Sequence, residues 1–70
     1  MMPLLLAQVG ENNLIRHIGG TPEVKHHLED LGFVVGANVT IISRVGGNVI
    51  VKVKESRLAI DERLAQRILV

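Results

Sequence analysis

Dense runs of branched apolar residues dominate the second half of the chain, and one stretch of the first half sets its apolar residues at helical spacing. NVTIISRV, Asn38 to Val45, and NVIVKVK, Asn48 to Lys54, are rich in β-branched residues and flank Gly46-Gly47. That is the composition and punctuation of an antiparallel hairpin. A three-residue loop, Gly46-Gly47-Asn48, would set Val45 opposite Val49, Ser43 opposite Val51 and Ile41 opposite Val53, making one side nearly all apolar. A two-residue loop would instead bring Arg44 and Thr40 against those valines. Because a slip of one residue turns a whole strand over, the three-residue register is the expectation.

TPEVKHHLEDLG supplies the helix: Thr21 as N-cap, Pro22 at the first helical position, Glu23 near the positive end of the dipole and Gly32 as terminator. The spacing predicts a helix over Pro22 to Leu31, with Val24, Leu28 and Leu31 forming one narrow apolar stripe. NLIRHI, Asn13 to Ile18, reads as a strand ended by Gly19-Gly20. Its apolar positions Leu14, Ile15 and Ile18 do not alternate, so either both faces are partly covered or a bulge resets the phase. SRLAID, Ser56 to Asp61, offers Leu58 and Ile60 to the same core; Asp61 can then cap a helical turn through Gln66, after which Ile68 and Val70 alternate as a closing strand. Leu4 and Ala7, before Gly10, predict a short helical turn or an irregular lead-in. The sum is about five short strands, one inserted helix and a short C-terminal helical turn. These predict a mainly β fold, a small closed or nearly closed barrel whose closure hides the strand edges.

Seventy residues suffice for one domain, 1–70, with a thin stability margin. At 47% hydrophobic with Phe33 as the sole aromatic, the core must be aliphatic. The absence of cysteine excludes a disulfide framework and a thiolate metal site. The start MMPLLLA has no basic region before its apolar run, and no window approaches the roughly 18 apolar residues of a membrane span. A soluble, cytoplasmic chain without membrane insertion is the expectation. A formal charge of +1 provides no long-range field for nucleic acid or an anionic membrane, so any basic patch is local.

Taken in order, Leu4, Ala7 and Gly10, the pair Ile15 and Ile18 before Gly19-Gly20, Leu31-Gly32-Phe33, Gly36, Val39, Gly47, Val51, SRLAI, Ala65, Ile68 and Val70 form a recognisable set. In that set the sequence resembles the FeoA family of small cytoplasmic proteins of bacterial ferrous-iron uptake. Val35 stands where the family usually has proline. The resemblance implies an SH3-like β-barrel and a non-enzymatic accessory role with FeoB, the large membrane permease that carries a cytosolic GTP-binding domain. A runner-up reading is a metal-sensing regulatory module, since a related barrel forms the C-terminal domain of iron-dependent repressors. There the barrel is tethered to a DNA-binding domain, which is not expected here.

Iron makes KHHLED, Lys25 to Asp30, a natural place to look for ligands. Helical neighbours diverge by about 100°, so His26 and His27 cannot clasp one ion together. His26 and Asp30, at i and i+4, are the only weak surface candidates, and two ligands fall short of the three or four that a tight site needs. His27 is expected half-covered and His26 solvated; His17 has no ligand-type partner two residues away on its strand. No metal, cofactor or catalytic set is expected. Ser43 and Ser56 lack the context of a nucleophile, and Gly46-Gly47 is followed by no GKS or GKT. Nucleic-acid binding is disfavoured because only Phe33 could stack on a base. On the outer hairpin face, Ile42 and Ile50 are rimmed by Arg44, Lys52 and Lys54, and such a patch is a candidate partner-binding surface. Exposed strand edges would also admit a weak homo-oligomer.

Overall fold

The computed structural model describes all 70 residues, Met1–Val70. After a 3-10 turn at Leu4–Leu6 come β1 (Asn12–Leu14), β2 (His17–Ile18), α1 (Pro22–Asp30), β3 (Asn38–Val45), β4 (Asn48–Val53), β5 (Ser56–Asp61), α2 (Glu62–Ala65) and β6 (Ile68–Leu69). A four-stranded antiparallel sheet runs β1-β3-β4-β5, and β2 pairs with β6 in a second, two-stranded sheet. The two sheets do not close on each other. The expected barrel is therefore an open SH3-like one, and β5 keeps a free edge that closure would have hidden.

The helix follows its sequence signals. The Val24 N–H donates to Thr21 Oγ1 at 3.3 Å, and Pro22 opens the first turn. At the other end Gly32 sits at φ +106°, a conformation that side chains rarely adopt. This lets the Gly32 N–H reach the Glu29 carbonyl and the Phe33 N–H reach the Leu28 carbonyl, each at 2.9 Å, the paired bonds of a Schellman ending. Leu28 and Phe33 are both fully buried, so the chain reversal is clamped by an apolar contact into the core. Asp61 likewise caps α2, accepting from the Leu64 N–H at 2.8 Å.

The expected strand over Asn13–Ile18 is split. Leu14 ends β1 opposite Asn38, then Ile15 exchanges backbone hydrogen bonds with Gly36 and Ala37, and the Arg16 N–H passes to the Leu69 carbonyl. Crossing from one sheet to the other costs the chain its alternation: Leu14 is 45% exposed whereas Ile15 and Ile18 are buried. Neither a bulge nor two covered faces explains that pattern; a change of partner does.

The hairpin also departs from the expected register. Gly46 at φ +59° makes a two-residue loop with Gly47, so Val45 opposes Asn48 and Arg44 opposes Val49. A bulge between Ile41 and Ser43 then shifts the phase, and Ile41 opposes Val51 while Val39 opposes Val53. The bulge accounts for the misreading: the sequence pattern of two different phases was fitted with one. Val45, expected in the core, is 59% exposed.

All 14 buried residues are apolar, Leu4 and Ala7 from the lead-in, Ile15 and Ile18, Leu28, Phe33, and the rest from β3 through β6. Val24, Leu31 and Leu58 pack on this cluster from its margin. The Met2 and Val70 backbones exchange two hydrogen bonds of 2.8 Å, which draws both chain ends onto the β2-β6 side. No helix is long and apolar enough to cross a membrane.

Candidate docking surface

The residues that alternate with the core valines cover the outer face of the four-stranded sheet. One row crosses all four strands: Asn12 opposes Thr40, Thr40 opposes Lys52, and Lys52 opposes Arg57. Like charges placed directly opposite on one face repel, so the Lys52–Arg57 pair is an unfavourable contact that the fold retains. The adjacent row runs Ser43, Ile50, Ala59. At the bulge, Ile42 and Ser43 together stand against Ile50, and all three are half-buried.

Beyond the end of β4, Lys54 occupies a left-handed conformation, φ +54°, in the two-residue turn to β5. Only glycine, asparagine and aspartate visit that region readily. The turn brings Lys54 beside Lys52 along a groove of about 420 Å³, which Asn12, Asn38, Thr40 and Glu55 also line. The groove offers ammonium donors and amide and hydroxyl groups around a single carboxylate, with Ala37 as its one apolar residue. Such a lining suits an acidic polar contact from a partner better than a hydrophobic small molecule.

Arg44 is not part of this face. Set opposite Val49 by the two-residue loop, it turns toward the lead-in, where its Nη2 donates to the Leu5 carbonyl at 2.8 Å and the Ala7 carbonyl at 2.6 Å. Sequence reasoning grouped Arg44 with the lysines because an unbroken strand from Thr40 would have put them together. Its geometry is that of a strap across the 3-10 turn. Replacing it with methionine, Arg44→Met, should keep the fold but free the turn. Two charge-assisted bonds at an exposed position, lost together, would cost on the order of 1–2 kcal/mol. Hydrogen exchange at Ala7, whose N–H bonds the Leu4 carbonyl at 2.9 Å, should accelerate before that of β4; equal protection in both variants would refute the strap.

The histidines stand apart. His17, His26 and His27 are all exposed, so His27 is freer than its place beside the apolar stripe suggested: Leu28 is the only residue of α1 that is buried. His26 shares a shallow depression with Pro22, Lys25 and Glu29, and Asp30 lies at the exposed end of the helix. Nowhere do three or more His, Cys, Asp or Glu side chains gather as a metal site would require. Arg57 was missed as part of the docking face. Its place opposite Lys52 depends on the two-residue turn at Lys54-Glu55, whose residues carry no turn signal of their own.

Comparison with known proteins agrees with the fold. The FeoA domain matches residues 2–70. A protein of Methanocaldococcus jannaschii, which carries the provisional name Fe(2+) transport protein A, is 31% identical over 70 residues, covering 100% of this chain and 85% of its own. Among solved structures, the iron uptake regulatory protein FeoA superposes with a TM-score of 0.86 at 28% identity, covering 96% of this chain and 91% of that one. The zinc complex of Stenotrophomonas maltophilia FeoA, described as a prokaryotic SH3 domain protein, superposes with a TM-score of 0.85 at 21% identity, over 99% of this chain and 88% of that one. With a family match over all but its first residue and a relative aligned along its whole length, this chain belongs to the FeoA domain family.

Proposed function

We propose that the chain is a non-enzymatic, cytoplasmic accessory of ferrous iron transport that docks on the cytosolic, GTP-binding region of a FeoB-type permease. The transport role comes with membership of the FeoA family. The docking half of the reading rests on one observation: Lys52 and Arg57 oppose each other, with Lys54 held close by in a left-handed turn and half-buried Ile50 alongside. An acidic partner surface relieves that repulsion, and the apolar centre at Ile50 and Ile42 supplies contact area. His26 and Asp30 have no part in it.

Purified protein should be retained by the isolated cytosolic region of the permease, with a strength that changes between GDP and a GTP analogue. No retention in any nucleotide state would remove this reading. Calorimetric titration with Fe(II) under anaerobic conditions should give no stoichiometric binding; a one-to-one isotherm would favour the metal-sensing alternative instead, since a sensor must bind its ion and an adaptor need not.

A further inference from the structure

The free edge of β5 is complementary to itself. The Glu62 N–H donates to the Gly47 carbonyl at 3.1 Å, which fixes the phase of the β4-β5 ladder. In that phase Ser56, Leu58 and Ile60 direct their backbone groups to β4, while Arg57 and Ala59 direct theirs outward and Asp61 its N–H, the Asp61 carbonyl opening α2 as that of the N-cap. β5 is the last strand of its sheet, and Arg57, Ala59 and Asp61 are exposed. Proteins that guard an open edge commonly use charge of one sign, which repels a copy of itself. This edge carries one cation and one anion, evenly placed about Ala59.

We propose that two copies of this chain associate through antiparallel pairing of their β5 strands, with the two-fold axis between the two Ala59 residues. In that register Arg57 of each copy faces Asp61 of the other, the two Ala59 residues exchange backbone bonds, and the Asp61 N–H of each copy donates to the Arg57 carbonyl of the other. Shifting the centre to residue 57 would set arginine against arginine, and shifting it to 61 would set aspartate against aspartate. Charge therefore selects one register. Ala59, the smallest residue of β5, leaves room on the axis, and the four-stranded sheets join into one of eight with their Ile50-Ala59 rows continuous. The Asp61 carboxylate caps α2 through Oδ1, so its Oδ2 is the atom left to meet arginine. One strand pair buries well under about 1,000 Å², which makes the association weak and concentration-dependent.

Sedimentation velocity should find a monomer at low micromolar concentration and a growing dimer share toward millimolar. In a mixture of labelled and unlabelled protein, NMR should show a contact between copies from Leu58 Hα to Ile60 Hα, which this register sets opposite each other in a close, non-bonded pair. Arg57→Glu replaces both attractive pairs with repulsive ones and should weaken association at least about tenfold. The same change places a carboxylate opposite Lys52, so the monomer should fold at least as well as the parent. Ala59→Pro, which removes an outward N–H that no intrachain bond uses, should also abolish the dimer. A monomer at every concentration, contacts between copies elsewhere, or unchanged association of Arg57→Glu would overturn the proposal.

Discussion

Phe33→Ala is expected to remove a large share of the chain's stability. Phe33 is the largest fully buried side chain and the only aromatic one. It also follows the helix terminator, where its N–H holds the Leu28 carbonyl at 2.9 Å, so its ring is the weight that pins the end of α1 to the sheet. Removing a buried phenylalanine from a core costs about 3–5 kcal/mol, through lost transfer energy and the cavity left behind. Typical domains hold about 0.05–0.15 kcal/mol per residue, which for a chain this short is roughly 4–10 kcal/mol in all. The substitution therefore removes about a third of the margin at the least, and most of it at the low end of that range. Urea unfolding followed by far-UV circular dichroism should show a midpoint far below the parent's, with the helical signal lost along with the strands. A loss under about 1 kcal/mol would mean that the neighbours collapse into the space and that Phe33 does not anchor the helix.

The parts of this fold that were legible in the sequence are those specified by neighbours along the chain. Thr21, Pro22 and Gly32 bound the helix by local hydrogen bonding and backbone conformation, and Asp61 caps α2 in the same way. The break after Leu14 is different. It is set by Ala37 and Leu69, residues far along the chain that offer Ile15 and Arg16 their hydrogen bonds, and nothing within NLIRHI announces it. The bulge at Ile42 is unmarked within NVTIISRV, and together with the two-residue loop it takes Arg44 off the face of Lys52 and toward the lead-in. Lys52 and Ile50 were legible on the outer face because alternation along β4 is unbroken from Val49 to Val53. Lys54, also expected there, lines the groove with Lys52, but Arg57 was not legible, since its place opposite Lys52 depends on a two-residue turn whose residues, Lys54 and Glu55, are not the usual turn formers.

A second large effect is expected from Ile50→Asp, which should abolish retention by the permease's cytosolic region and leave the fold in place. Ile50 lies between Ser43 and Ala59 across the sheet, with Lys52 two residues along the same strand and on the same face. In a docked complex it is the apolar group best placed to be fully desolvated, with Lys52 and Arg57 on one side of it to meet an acidic rim. A carboxylate at that centre would be buried against the partner's acidic groups. Losing a central anchor of this kind costs about 2–4 kcal/mol, a weakening of roughly thirty- to a thousandfold. In the free protein the same carboxylate stays in water on an outer face, and the fold loses at most about 1 kcal/mol of strand preference. The thermal midpoint should therefore fall by no more than about 8 °C while binding disappears. Ile50→Val, which keeps the apolar contact, should retain binding within a few-fold, and Lys52→Glu should mainly slow association and flatten its salt dependence. Undiminished binding by a well-folded Ile50→Asp variant would place the docking face elsewhere, and the Lys52–Arg57 opposition would then need another explanation.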